Sequence, residues 1–161
     1  MHSSDSKNDQ TACHVAILQE SYRRCTGRYL FNPELTASEA VAWLEQVPFA
    51  LVSHGTQPDP VFNYGNQTAL RLFGMTRDAF TRMPSRLSAE PLERTERERL
   101  LERVLRDGYI DDYTGIRIAA DGRRFLIRHA TVWNLLDETG QFYGQAALIP
   151  EWEALSATDA G

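Results

Sequence analysis

The dipeptide Asp121-Gly122 is the strongest turn signal in the chain, since both residue types tolerate the positive φ angles of a tight β-hairpin. The sequence has a β pattern from Tyr109 onward, so this turn predicts two antiparallel strands. A two-residue turn would pair Ala120 with Arg123 and fix which residues face each other along both strands. A further strand is predicted over 142–149, where Pro150 ends it.

The predicted register gathers polar side chains on one face of this hairpin. The opposed pairs are Thr114–His129, Asp112–Thr131 and Ile110–Trp133. A few polar groups among apolar walls are typical of a ligand pocket if the face looks toward the helices. We therefore predict a ligand site that consists of Thr114, His129, Trp133, Asp112, Thr131 and Asn66.

Each of these residues also has a structural interpretation. His129 fits a hydrogen-bonded core histidine, and Trp133 fits a core or interface aromatic residue. Asn66 directly precedes a helical segment at 67–73 and is well placed to cap it. The sequence leaves both interpretations open.

Helical periodicity dominates the first third of the chain. Val15, Leu18 and Tyr22 form an apolar stripe on a helix that begins near Thr11. A capping box over 36–39 starts a second helix, and two short strands at 48–55 and 61–64 follow as a hairpin. Further helices are predicted at 67–73 and 76–83, and a second capping box over 95–98 predicts the start of a longer one.

This order of elements predicts an α+β fold. It consists of a five-stranded antiparallel sheet with helices on one face and an N-terminal helical extension. The predicted boundaries are a disordered tail at 1–10, N-terminal helices at 11–46, a core at 47–152 and a C-terminal tail at 153–161.

Charge and composition exclude several classes of partner. The 161 residues carry a formal net charge of −5, which argues against direct binding to nucleic acid or to anionic membranes. No apolar run is long enough to span a bilayer, and the polar N-terminus does not resemble a secretory signal. Cys13 and Cys25 are too poorly aligned on one helix to pair with each other, so we predict reduced thiols in a cytoplasmic protein.

Residues for catalysis or metal binding are not evident in the sequence. None of the four histidines has the spacing of a metal site, and no nucleophile elbow or phosphate-binding loop is present. Ser53-His54 and Ser85 are the suggestive hydroxyl positions. Asp111 and Asp112 would point to opposite faces of a strand, so they cannot form a carboxylate pair. We predict no catalytic residues and no metal site.

The order of strands and helices is similar to that of the PAS fold, and the motifs resemble the PAS-related MEKHLA family. The matching segments, which span roughly residues 12–152, are Ser21-Tyr-Arg, Asp59 to Gly74, Met83-Pro-Ser-Arg, Ala89-Glu-Pro, Gly115-Ile-Arg-Ile, Gly122-Arg-Arg-Phe, Val132-Trp-Asn and Gly144-Gln-Ala-Ala. The family's six-letter namesake string is absent, and Met83 stands where leucine is expected. The resemblance implies either a stand-alone bacterial protein or the regulatory C-terminal domain of certain plant homeodomain–leucine zipper transcription factors. The chain has no basic region and no heptad run, so we expect the stand-alone form, which does not itself bind DNA.

The resemblance also bears on cofactors. Flavin-binding photosensory PAS relatives carry a cysteine, and haem-binding relatives a histidine, in the helical region between the strands. Residues 66–107 contain neither, which excludes covalent flavin photochemistry of that type and leaves a non-covalent flavin or another small ligand open. Three hypotheses follow: a small-molecule sensor acting through a partner protein, an interaction or dimerisation module with a filled core, and, as the weakest, an enzyme using His129 with Asp112 deep in a pocket.

Overall fold

A computed structural model describes residues 3–155, with side chains from residue 9 onward except those of residues 91 and 92. The helices are α1 (Ser3–Thr26), α2 (Ala37–Gln46), α3 (Gln67–Phe73), α4 (Arg77–Phe80) and α5 (Pro91–Asp107), with a 3₁₀ turn at Ser85–Ser88. The strands are β1 (Ala50–His54), β2 (Phe62–Gly65), β3 (Tyr109–Ile118), β4 (Arg124–Leu136), β5 (Phe142–Ile149) and β6 (Glu151–Leu155). No helix in this part of the chain is both long and apolar enough to cross a membrane.

Two helix starts differ from the prediction. Helix α1 begins at Ser3, so residues 3–10 continue the helix, because extending a nucleated helix requires no further apolar periodicity. Residues 1–2 of the predicted tail lie outside the described residues. Helix α5 begins at Pro91, whose fixed φ suits the first helical position, so the predicted capping box at 95–98 lies inside the helix. The capping box at Thr36 and Glu39 is confirmed at the start of α2.

The strands form one antiparallel sheet in the order β2-β1-β5-β4-β3. A sixth strand, β6, pairs with β4 over residues 124–128, so residues 153–155 of the predicted tail belong to the sheet. Residues 156–161 of that tail lie outside the described residues. The predicted hairpin between β1 and β2 is confirmed.

The β3–β4 turn is one residue longer than predicted. The Ala119 N–H donates to the Arg123 carbonyl at 2.8 Å, and the Gly122 N–H donates to the Ala119 carbonyl at 3.0 Å. This is a three-residue loop with Gly122 at φ 91°, the common alternative to a two-residue turn. Arg117 therefore faces Phe125, and the predicted register is wrong by one residue. Such a slip exchanges the two faces of a strand.

A line of irregular backbone crosses the sheet farther along. Asp112 and His129 have φ values of 59° and 57°, in the left-handed region, and the β3–β4 pairing shifts register around Asp112. Leu148 pairs with Thr131 and Glu151 with Arg128, so Pro150, which has no N–H, stands opposite His129. The irregularity changes which side chains face each side of the sheet.

Each face of the sheet carries its own apolar core. The inner face packs against α3, α4 and α5, with Phe73, Phe80, Val104, Ile127 and Val132 among the buried residues. The outer face packs against α1 and α2, and the stripe residues Val15, Leu18 and Tyr22 are buried there with Trp133 and Leu135. The N-terminal extension thus covers the second face of the sheet.

Candidate functional site

A cavity of about 70 Å³ lies between the inner face of the sheet and helix α5. Its apolar walls include Phe62, Phe73, Leu100, Ile127, Val132 and Ile149. Its polar side chains are His54, Ser85, Ser88, Arg97, Tyr113, Arg117 and Gln145. A few converging polar groups in an apolar enclosure are typical of a small-molecule site.

Strand register places the central polar pair. His54 on β1 lies directly opposite Gln145 on β5, and Gln145 lies opposite Asn134 on β4. His54 Nε2 is 3.1 Å from Gln145 Oε1, and Gln145 Nε2 is 3.1 Å from Asn134 Oδ1. Three neighbouring strands therefore carry a continuous row of polar side chains, of which His54 and Gln145 line the cavity.

The hydrogen bonds of this row fix the position of the His54 proton. Gln145 Nε2 also donates to the Leu101 carbonyl at 3.1 Å, so its Oε1 atom accepts from His54 Nε2–H. His54 Nδ1, 3.0 Å from Ser85 Oγ, then accepts the Ser85 hydroxyl proton, and Ser85 Oγ accepts from Arg97. The network runs in one direction from Arg97 through Ser85 and His54 to Gln145.

Burial keeps this histidine neutral. Removal from water lowers the pKa of His54 to about 4, and the nearby Arg97 charge acts in the same direction. Neutral imidazole can accept at one nitrogen and donate at the other, which the network requires.

Two arginines complete the cavity. Arg97 on α5 and Arg117 on β3 are each only 7% exposed. Burial, and then the charge of Arg117, lower the pKa of Arg97 to about 10, so it stays charged at neutral pH. Arg117 donates to the Tyr113 hydroxyl at 3.2 Å, and Tyr113 donates to Glu96 at 2.8 Å.

A second buried histidine lies on the outer face. His14 on α1 contacts Ser53 Oγ at 2.8 Å and the Tyr143 hydroxyl at 3.2 Å, and burial lowers its pKa to about 4. Ser53 precedes His54 on β1, so adjacent residues on one strand serve networks on opposite faces.

The predicted site residues lie apart from this cavity. His129 and Asp112 do contact each other, at 2.6 Å between Nδ1 and Oδ1, but both side chains are exposed. Thr114 is also exposed on β3. The prediction that this face looks toward the helices is wrong, because the longer turn and the irregular backbone at Asp112 and His129 reverse the facing.

The remaining predicted residues are buried in structural roles. Trp133 is fully buried against α1, where its ring meets Tyr22 edge-on at 4.9 Å. Thr131 donates to Asp111 at 2.8 Å. Asn66 caps α3 by accepting from the Ala69 N–H at 3.0 Å, as its structural interpretation predicts. Conversely, Tyr113, Arg117 and Val132, which the predicted register puts on the outer face, line the inner cavity.

The sequence singles out Ser53-His54 and Ser85, but no local signal connects them. Arg97 was hidden in a charged helix whose other arginines are mostly exposed, and only its burial distinguishes it. An alternation count over β5 would have placed Gln145 on the same face as Ala147 and Ile149. No comparable local signal pairs β1 with β5.

The size of the cavity limits the cofactors that it could hold. Drug-sized ligands fill pockets of roughly 300–1,000 Å³, so a space of about 70 Å³ does not fit a tricyclic flavin. The two cysteines lie on α1, away from the cavity-lining residues. Within the described residues, no group of three or more His, Cys, Asp or Glu side chains could hold a metal ion.

Comparisons with known proteins agree with this fold. The MEKHLA domain model matches residues 12–154, while no curated protein sequence matches the chain significantly. A PAS domain from Colwellia psychrerythraea superposes with a TM-score of 0.59 and 16% identity, covering 73% of this chain and 95% of that one.

Two similar structures come from photoreceptors. A light-oxygen-voltage domain studied with a flavin analogue has a TM-score of 0.54 and 20% identity, covering 74% of this chain and 87% of that one. The light-state dimer of the fungal blue-light photoreceptor Vivid has a TM-score of 0.57 and 13% identity, covering 84% and 93%. These likenesses confirm the predicted α+β fold of PAS type.

Proposed function

Because the chain belongs to the MEKHLA domain family, we propose that it is a PAS-type sensory module that binds a small molecule in the inner cavity and signals to a partner protein. The observation that carries this proposal is the directed network Arg97–Ser85–His54–Gln145 beside an apolar cavity. Buried polar groups are costly to keep, and a packed apolar core needs none of them. Their convergence on one space supports recognition of a ligand.

Strand β1 supports a route for the signal. A ligand that displaces Ser85 or His54 changes the hydrogen bonding of β1 on the inner face. On the outer face the next residue, Ser53, holds His14 of α1 at 2.8 Å. Helix α1 therefore is the element through which we propose that ligand binding reaches a partner.

Native mass spectrometry of the purified full chain tests ligand binding. We expect a fraction of the protein to carry extra mass from a small molecule, and His54→Phe, which fills the cavity, to lose it. Leu105→Phe is the matched control, because Leu105 is 57% exposed on the same helix as Arg97. Retention of the extra mass by His54→Phe contradicts the proposal. Absence of extra mass from the wild-type protein contradicts it when the purified chain also fails to bind small molecules that are added to it.

The second candidate function is an interaction or dimerisation module with a filled core. The small size of the cavity favours it, and the Vivid structure shows a related fold as a dimer. The stripe of Val15, Leu18 and Tyr22 is already buried within the chain, so it would have to detach in order to pair. A ligand-free dimer in native spectra at two protein concentrations would support this function over the first.

We propose no catalytic role. The side chains of the His129–Asp112 pair, which an enzyme hypothesis requires deep in a pocket, are exposed at the surface. The absence of direct nucleic-acid partners and a cytoplasmic location stay predictions from charge and composition.

A further inference from the structure

Two buried cations face the same small cavity. Arg97 and Arg117 each line it, and each is 7% exposed. Among the described side chains, neither forms an ion pair with a carboxylate. A charge removed from water is strongly disfavoured unless an opposite charge or hydrogen bonds compensate it.

The protein supplies only part of that compensation. A guanidinium has five N–H donors. The described hydrogen bonds use one nitrogen of Arg97, toward Ser85, and two of Arg117, toward the Ile116 carbonyl at 2.7 Å and the Tyr113 hydroxyl at 3.2 Å. Donors therefore remain for a group held in the cavity.

The nearest carboxylates are engaged elsewhere or remote. Glu96 is exposed and accepts from Tyr113, so it reaches Arg117 only through that hydroxyl. Asp59 is paired with Arg86 at 3.1 Å. Glu98 is exposed and acts on Arg97 without forming an ion pair. The two arginines, meanwhile, repel each other across the cavity.

From this geometry we infer that the cavity is a site for a small carboxylate with a short alkyl tail, bound between Arg97 and Arg117. This inference rests on the proposed function, whose ligand it assigns to a chemical class. The planar guanidinium matches the two oxygens of a carboxylate. Ile127 and Val132 line the cavity as apolar surface for the tail.

The size of the cavity and its charge together restrict the chemical class of the ligand. About 70 Å³ excludes large organic anions and nucleotides. An apolar wall beside the cations favours an alkyl carboxylate over a fully hydrated ion such as phosphate, whose remaining oxygens would lose water without gaining donors. The carboxylate would also complete the network, because Arg97 donates to Ser85 and Ser85 to His54.

Isothermal titration calorimetry of the full chain with sodium propionate tests the inference. We expect saturable binding of propionate, at least ten-fold weaker binding of its uncharged analogue propionamide, and no comparable binding of phosphate or chloride. Equal binding of propionamide shows that charge is not recognised, and equal binding of chloride or phosphate shows a non-selective anion site. Either result overturns the inference.

Variants locate the site. Arg97→Gln and Arg117→Gln should each weaken propionate binding at least ten-fold, while Arg128→Gln, at an exposed position outside the cavity, leaves it unchanged. Arg97→Lys keeps the charge but not the planar guanidinium, so we expect intermediate binding. This variant also tests the site if a glutamine variant folds poorly. Unchanged affinity in folded Arg97→Gln and Arg117→Gln places the site elsewhere and overturns the inference.

The two proposals fail in different ways. A neutral molecule that co-purifies with the chain, while propionate does not bind, overturns the carboxylate assignment and leaves the sensory function standing. Absence of any co-purified molecule together with absence of propionate binding overturns both.

Discussion

His129 Nδ1 lies 2.6 Å from Asp112 Oδ1, and both residues have left-handed backbone conformations, with φ near 57° and 59°. Asp112 lies on β3 and His129 on the neighbouring strand β4. On the other side of β4, Pro150 stands opposite His129, between β5 and β6. Asp and His tolerate this conformation better than β-branched residues do. The exposed pair therefore marks the place where the sheet changes which side chains face inward.

Backbone strain at His129 gives the first prediction. His129→Gly should be more stable than His129→Ala by about 1 kcal/mol, because an alanine Cβ opposes the left-handed conformation and glycine does not. Urea denaturation measures the difference. Arg128 lies in an extended strand, so the order of stability should reverse there, and Arg128→Ala should be more stable than Arg128→Gly. His129→Ala matching or exceeding His129→Gly in stability would show that the backbone is unstrained.

The second prediction concerns pH. Burial lowers the folded-state pKa of His14 and His54 from 6.5 to about 4, so the unfolded chain binds more protons between these values. The free energy of unfolding should therefore fall as pH decreases from 6.5 to 4, by up to about 3 kcal/mol for each histidine. Urea titrations across this range should show a shallower slope for His54→Gln, and shallower again for the double variant with His14→Gln. Slopes identical to wild type would contradict neutral burial.

Asn66 offers a third test. Its amide accepts from the Leu51 and Ala69 N–H groups at 3.1 and 3.0 Å. It also donates to the Leu44 and Phe49 carbonyls at 2.9 and 3.0 Å. Asn66→Ala leaves these groups unsatisfied, so we expect a loss of about 2–4 kcal/mol.

Asn66→Asp should be no better than Asn66→Ala, since a carboxylate would face two carbonyl oxygens. Thr76→Ala, which removes the exposed cap of α4, is the matched control and should cost about 1 kcal/mol. Chemical denaturation compares the three variants. Asn66→Ala costing no more than Thr76→Ala would show that the buried amide bonds contribute little.

The close approach of β5 to β1 gives the fourth prediction. A Cβ atom at Gly144 would lie 2.1 Å from the His54 carbonyl oxygen, and φ there is 145°. Gly144→Ala should separate the strands that hold His54 and Gln145 and cost several kcal/mol, about 3 or more. Gly140→Ala, with φ 86° and open space, isolates backbone strain and should cost about 1 kcal/mol. Comparable thermal midpoints for the two variants would contradict the clash.

Docking of α1 is the basis of the fifth prediction. Leu18 is fully buried between α1 and the sheet. Leu18→Ala should destabilise the chain by about 2–5 kcal/mol and change the fluorescence of Trp133, which packs in the same cluster. Leu105→Ala, at an exposed position, should change neither. An unchanged free energy of unfolding in Leu18→Ala would indicate that α1 is not held on the outer face.

The sequence by itself determined features that depend on near neighbours along the chain. The Thr36 capping box, the Asn66 cap and the hairpin at Asp121-Gly122 each involve residues only a few positions apart. The motifs also identified the family, and the family implies the order of the strands along the chain. Local hydrogen bonding and turn chemistry suffice for these, since their partners are fixed by chain connectivity.

The tertiary structure alone decided which side chains meet. One additional turn residue at Ala119–Arg123 and the left-handed residues Asp112 and His129 reversed the facing of the predicted site. His54 and Gln145 are 91 positions apart, and Arg97 joins them from a helix. Side chains alternate with a period of two, so a single inserted residue exchanges inside for outside. The local sequence pattern does not reveal such an insertion, because packing against distant elements decides whether the longer turn is more stable.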